Sequence, residues 1–269
     1  MEVSGLRLHY GVWGATEASP LILLHGAAAN SHWWDWVAPA LSPAFRVLAL
    51  DFPGHGKSGW PRPARYDMND FLQAVIGFLN ALGRSPVHLA GHSLGGKIAM
   101  LVAAKYPRRV QSLVIVDVTP SVSPYARALL RQVAARPSRR FGSAEAAARA
   151  FRLMPSETVA EPRRLRALAL RSVRHCGHGR WSIGPDPEFF ARFAVRKMWS
   201  SLGRIRCPTL ILRAAESTVL DRQTGQEMQQ RLCCGVLREI AHSHHHLIVE
   251  RPTKVAKAIG DFLKETCKR

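Results

Sequence analysis

Gly91-His92-Ser93-Leu94-Gly95 sets a serine between two glycines in the pattern G-x-S-x-G. It follows the apolar run Val87-His88-Leu89-Ala90 and opens a helical stretch, Gly95 to Lys105. A serine on a sharp strand-to-helix turn projects its hydroxyl above a sheet. Glycines suit such a turn because strand and helix pass too closely there for larger side chains. The turn also aims backbone N–H groups and the helix N-terminus at a developing anion. Ser93 is therefore expected to be a nucleophile. The competing reading is a buried turn serine that caps the helix.

A serine nucleophile needs a histidine within reach to take its proton. Ala241-His242-Ser243-His244-His245-His246 offers four, just after the last strand candidate. A metal reading of this run finds no Asp or Cys at suitable spacing, and His175-Cys176-Gly177-His178 carries no stronger signal. No metal is expected.

These groups need a scaffold. Strand candidates are Leu6 to Tyr10, Leu21 to Leu24, Arg46 to Leu50, Val87 to Ala90, Leu113 to Val116, Thr209 to Leu212 and Gly235 to Ile240. Fully apolar runs such as Leu21-Ile22-Leu23-Leu24 suit a parallel sheet covered on both faces. Helix candidates alternate with them: Met68 to Leu82, Gly95 to Lys105, Gln223 to Leu232 and Thr253 to Lys264. The pattern predicts an α/β fold with a mostly parallel, doubly wound sheet. Residues 121–204 read differently. They hold no convincing strand, and helical stretches such as Ser143 to Arg152 and Pro162 to Val173 are broken by Pro137, Pro155, Pro162, Pro185 and Pro187. The expectation is a core of 1–120 and 205–269 with a helical cap, 121–204, inserted between two strands of one sheet.

Composition narrows the function classes. With 269 residues and 47% hydrophobic content, the chain can bury a large core and is not disordered. Its longest clean apolar run, Ile98 to Ala104, is too short to span a membrane, and its first residues lack the basic and apolar regions of a secretory signal. Cys176, Cys207, Cys233, Cys234 and Cys267 are odd in number and irregularly spaced, which favours free thiols in a reducing cytoplasm. The net charge is +19, and residues 121–204 supply +12 of it. Such a field can attract an anion. The simpler reading is a solvated helical face, since no nucleic-acid motif accompanies it.

Several blocks together resemble the α/β-hydrolase fold family. Leu21-Ile22-Leu23-Leu24-His25-Gly26 resembles the strand and His-Gly turn that supply its oxyanion hole. Asp51-Phe52-Pro53-Gly54-His55-Gly56-Lys57-Ser58 resembles its D-x-x-G-x-G-x-S loop, and Gly91 to Gly96 its nucleophile elbow. Val110 to Pro120 is similar to the strand before the cap, and Glu250-Arg251-Pro252 to the segment after the catalytic histidine. The resemblance implies oxyanion donors at the backbone N–H groups of Ala27 and Leu94, with His25 hydrogen-bonded below them. It implies a base at His245, five residues before Glu250; a Gly-His pattern read through Ala241 points to His242 instead, and His244 and His246 remain open.

The acid departs from the family's commoner pattern. Where an aspartate is usual after Thr209-Leu210-Ile211-Leu212, this chain has Ser217 and Thr218, with Glu216 beside them. Some family members take the acid from the end of the strand before the cap, which here is Asp117; Glu216 is the rival. The implied activity is a serine hydrolase, esterase-like, acting on a small-molecule ester or acyl substrate without a cofactor. C–C bond hydrolysis, perhydrolysis and a non-catalytic binding protein on this fold are the alternatives. Neither nucleic acid nor stable membrane insertion is expected. Aromatic residues of the cap, with Trp33, Trp34 and Trp36, are expected partly to wall an apolar pocket and mostly to pack.

Overall fold

The computed structural model describes residues 1–122, 124–135 and 139–267. The strands are β1 (Glu2–Val3), β2 (Leu6–Arg7), β3 (Tyr10–Trp13), β4 (Ser19–Leu24), β5 (Phe45–Leu50), β6 (Val87–His92), β7 (Val110–Val116), β8 (Val173–His175), β9 (Trp181–Ile183), β10 (Thr209–Ala214) and β11 (Gly235–Ile240). The helices are α1 (Ala38–Leu41), α2 (Met68–Leu82), α3 (Leu94–Lys105), α4 (Pro124–Ala134), α5 (Ala144–Arg149), α6 (Pro162–Arg171), α7 (Glu188–Arg192), α8 (Trp199–Leu202), α9 (Arg222–Arg231), α10 (Leu247–Glu250) and α11 (Pro252–Cys267).

Seven strands form one sheet in the order β11-β10-β7-β6-β4-β5-β3. Every pairing is parallel except β3 with β5. Alternation of side chains along each strand splits the apolar residues between two cores. Ile22, Leu24, Leu48, Leu50, Leu113 and Ile115 pack on the face covered by α2 and α3. Leu21, Leu23, Val47, Ala49, Val114 and Val116 pack on the face covered by α1 and α11. Burial on both faces is why these strands are continuously apolar. Helix α2 starts on a capping box, with the Asp67 side chain accepting from the backbone N–H of Asp70 and the Asp70 side chain accepting from that of Asp67.

Two expectations are corrected. Leu6 to Tyr10 is not one strand: β2 pairs with β1 in a small hairpin, and the sheet edge begins at Tyr10. Residues 121–204 do contain strands, the antiparallel pair β8–β9, closed through Gly177 and Gly179 at positive φ. Pro137 and the side chains of Arg127, Arg136 and Cys267 lie outside the described residues. Among the described residues no helix is long and apolar enough to cross a membrane.

The segment between β7 and β10 is fastened over the carboxyl ends of the strands. Asp186 accepts hydrogen bonds from Arg62 and from the Tyr66 hydroxyl, both at 2.7 Å. Beside it Phe189 is fully buried against His55, Tyr66 and Phe71. Arg171 pairs with Asp35 at 2.7 Å, and Arg164 donates to the Val249 carbonyl.

The β6–α3 turn admits no side chain at its glycines. A Cβ on Gly95 would lie 2.3 Å from the Leu24 carbonyl oxygen, and one on Gly91 2.2 Å from that of Gly95. Both obstacles are backbone. Gly95→Ala is expected to lose about 1–3 kcal/mol or more through overpacking. Gly203→Ala, where nothing stands within 4 Å, should stay within about 0.5 kcal/mol of the parent. Urea midpoints of the two variants check this; equal midpoints would contradict it.

Candidate active site

Ser93 sits at the turn between β6 and α3 with φ 52° and ψ −116°, a conformation that L residues rarely adopt. Such strain persists only where the surroundings over-determine it. Here Ser93 N–H is held by the Val116 carbonyl at 3.0 Å, and the close approach of Gly91 and Gly95 fixes the turn. Ser93 lines a cavity of about 250 Å³ together with His245, Ala27 and Leu94. Val118, Leu130, Phe151, Met154, Phe190 and Phe193 supply much of its apolar wall. Trp33 lines it too, whereas Trp34 is fully buried in the core.

His245 and Asp117 meet. The His245 ring Nδ1 lies 2.8 Å from Asp117 Oδ2. Asp117 has no exposed surface, and it also accepts from the Ala214 N–H at 3.0 Å and the Ser217 hydroxyl at 2.6 Å. Burial pushes its carboxyl up to about 6, against the pull of those two donors. Burial pushes the His245 imidazole down to about 4. At neutral pH the pair is therefore a carboxylate beside a neutral imidazole, whose Nδ1 carries the proton that Asp117 accepts. The opposite ring nitrogen, Nε2, is left with a lone pair.

The other candidates stand apart from this contact. Glu216 is half-exposed and faces His244 at 3.4 Å and His242 at 3.9 Å. The His242 side chain is 79% exposed. His246 Nε2 donates to the Pro155 carbonyl at 2.7 Å, and burial holds its imidazole at about 3. Glu250 accepts from the His244 N–H at 2.6 Å, so the acid five residues beyond His245 braces the loop that carries it. His25 donates from Nδ1 to the Gly26 carbonyl and accepts at Nε2 from the Phe52 N–H, which fixes the turn leading to Ala27.

The roles of three residues escaped the sequence reading. Ser217, in the loop where an aspartate is commoner, donates its hydroxyl to Asp117. His92 donates from Nε2 to the His245 carbonyl at 2.8 Å. Burial, with His245 and His246 beside it, keeps it well below its ordinary value and so neutral. Lys97, one turn after Ser93 on α3, is 6% exposed and donates to the carbonyls of Thr119 and Ser121. Burial lowers its amine to about 8. Its i+4 spacing from Ser93 was the available signal.

A family model described as the alpha/beta hydrolase fold matches residues 19–252. An esterase of Mycobacterium tuberculosis is 30% identical over 85% of this chain and 75% of its own length. A solved structure of an M. tuberculosis esterase superposes with a TM-score of 0.79 at 25% identity, covering 96% of this chain and 89% of that one. A 2-hydroxymuconate semialdehyde hydrolase of Pseudomonas sp. (strain CF600) is 28% identical over 97% of this chain and 92% of its own. The chain also spans about a third, 31%, of the dihydrolipoyllysine-residue acetyltransferase component of an acetoin cleaving system from Pseudomonas putida, at 38% identity over 43% of this chain. A family match over most of the chain, on a mostly parallel sheet with a serine at the β6–α3 turn, places the protein in the alpha/beta hydrolase fold family.

Proposed function

We propose that the chain is a serine hydrolase that cleaves a carboxylic ester or related acyl bond through an acyl-enzyme. The observation that carries this reading is the buried 2.8 Å contact between His245 Nδ1 and Asp117, on the cavity that Ser93 lines. Ser93 Oγ attacks the substrate carbonyl carbon while His245 Nε2 takes the hydroxyl proton. Asp117 holds the ring in the required tautomer and offsets the positive charge that forms on it. The negative charge on the former carbonyl oxygen is met by the N–H groups of Leu94 and Ala27. The imidazolium then protonates the departing alcohol, and a water deprotonated by His245 releases the acid. No cofactor takes part. Residues 121–204 serve as a cap over the core of 1–120 and 205–269, supplying the apolar wall that receives the acyl chain.

C–C bond hydrolysis is the second reading, favoured by likeness to the 2-hydroxymuconate semialdehyde hydrolase over 97% of this chain. A panel of p-nitrophenyl esters graded by acyl length, beside a vinylogous 1,5-diketone, separates the two. Turnover of the esters alone supports the first reading.

Ser93→Ala should fold normally and lose on the order of 10⁶ in kcat, with His245→Ala comparably damaged, because the two act as a unit. His242→Ala should be mild. If His242→Ala were the worse of the two histidine variants, the base would move to that residue.

Asp117→Asn should lower kcat by roughly 10³ to 10⁴ with little change in KM. Glu216→Gln removes only a half-exposed carboxylate and should cost less than about tenfold. A larger loss from Glu216→Gln than from Asp117→Asn would overturn the assignment of the acid.

Activity requires Asp117 ionised and His245 neutral, and both conditions fail as pH falls. The acid limb of kcat/KM should therefore lie at about pH 6 or below, with a flat region around pH 7. The Ser217 hydroxyl bond lowers the Asp117 value, so Ser217→Ala should move the limb to higher pH. A limb that stays in place, measured between pH 5 and 9, would contradict this.

A further inference from the structure

A second cavity, of about 480 Å³, opens between the core and the β8–β9 hairpin. Its size suits a small-molecule ligand, but its lining is unlike that of the Ser93 cavity. Arg7, Lys57, Arg171 and Arg174 line it, and among the described residues no carboxylate does. Arg171 has an acidic partner, Asp35. The other three have none among the described residues. Arg174 donates to the carbonyls of Gly56 and Ser58 and stacks over Trp60, with its guanidinium carbon 4.7 Å from the ring centre. Arg7 reaches the Lys57 carbonyl at 3.5 Å. The buried Asp51 is bonded to two of the lining residues, through the Lys57 N–H and the His9 ring, and is also engaged by the Ser31 N–H.

Arg174 is therefore held in place without an acidic partner, and Arg7 and Lys57 add exposed charge beside it. Neutral carbonyls and an aromatic face hold Arg174 in place, which lowers the ordering cost of a bond to an anion. Guanidinium groups match oxyanions bidentately. Three unpaired cations around one space suit a group of about two negative charges, such as a phosphate monoester, better than a single carboxylate.

The cavity also adjoins the chemistry. Ala28 and Ala29 line both it and the Ser93 cavity, and they directly follow the expected oxyanion donor Ala27. Ala28 is itself held at φ 58°. The two cavities therefore share a wall at this turn, which an ester would have to cross for its acyl chain to lie over Ser93 and its alcohol half to reach the basic cavity.

The geometry points to a phosphate subsite: the cavity formed by Arg7, Lys57, Arg171 and Arg174 takes the charged alcohol half of an ester that carries a phosphate group. This rests on the hydrolase reading of Ser93 and names the substrate class of that same site. It gives two cap arginines a role that a merely solvated face lacks.

Binding and turnover test it separately. Inorganic pyrophosphate is titrated calorimetrically into Ser93→Ala, which needs no activity to report. Wild-type kcat/KM is then compared on a matched pair, 1-butyrylglycerol and 1-butyrylglycerol 3-phosphate, at low salt. The phosphate-bearing ester should be preferred, pyrophosphate should inhibit it competitively, and the preference should shrink as salt screens the cavity. At roughly fivefold or less per exposed cation, Arg7→Gln with Lys57→Gln should reduce both pyrophosphate affinity and the selectivity ratio about tenfold. Arg204→Gln, an exposed arginine elsewhere, should leave the ratio unchanged.

Pyrophosphate that fails to bind, inhibition that is not competitive, or equal kcat/KM for the two esters would each overturn the subsite while leaving the hydrolase reading intact. An active Ser93→Ala would instead overturn the hydrolase reading.

Discussion

A carboxylate with no exposed surface is tolerated only where donors replace its lost water. The donors of Asp117 come from three segments: the Ala214 N–H at the end of β10, the Ser217 hydroxyl in the next loop, and the His245 ring beyond β11. Its own N–H extends the ladder to the Leu212 carbonyl at 2.8 Å. The strand order β11-β10-β7-β6 is what lets these groups converge, and it sets the Ser93 turn at the end of the adjoining strand. One buried charge thus ties together three strand ends, those of β7, β10 and β11. Asp117 adopts φ 43° to reach this position, a strain of about 1–2 kcal/mol for a residue with a Cβ. Removing any donor would leave part of the charge unanswered in a place water does not reach.

The central parallel strands were legible because burial on both faces leaves little room for polar residues. Leu21 to Leu24 could be read as strand from composition alone, and Met68 to Leu82 as helix to the residue. The first residues were not legible. Leu6 to Tyr10 has strand-like composition, but Ser4 and Gly5, both at positive φ, fold Leu6–Arg7 back on Glu2–Val3. The hairpin β8–β9 was missed because three-residue strands are too short to display a period. Its turn glycines and the β-formers Val173, Trp181 and Ile183 were the remaining signal. Lys97 and His92 escaped for another reason. Each acts by hydrogen bonds to distant backbone carbonyls, and spacing along the chain does not record where a carbonyl will fall.

The four clustered histidines illustrate how little identity decides. They differ by at most four positions, yet one is in solvent, one faces Glu216, one is tied to Pro155 and one meets Asp117. Burial sets His245 and His246 apart as neutral imidazoles, and hydrogen bonding separates those two: His246 spends Nε2 on Pro155, whereas His245 meets Asp117 through Nδ1 and keeps Nε2 free. Spacing from Glu250 pointed to His245 for a physical reason. The Glu250 carboxylate binds the His244 N–H, so the distance to that acid is the length of the loop it closes.

The segment over the site is attached through residues that also sit at the site. Lys97, on the helix that follows Ser93, spends two N–H donors on Thr119 and Ser121, where the chain leaves β7. Ser121 in turn accepts from the Trp199 indole at 2.8 Å, near the segment's other end. His246, adjacent to the expected base, holds Pro155 in its middle. Withdrawing the segment would strand an ammonium group already desolvated enough to sit at about 8, and would leave an imidazole buried without its acceptor. Moving residues 121–204 away as a rigid whole would break the bonds to Ser121 and Pro155. The side chains of Phe151, Met154, Phe190 and Phe193, which line the Ser93 cavity, carry no such polar ties.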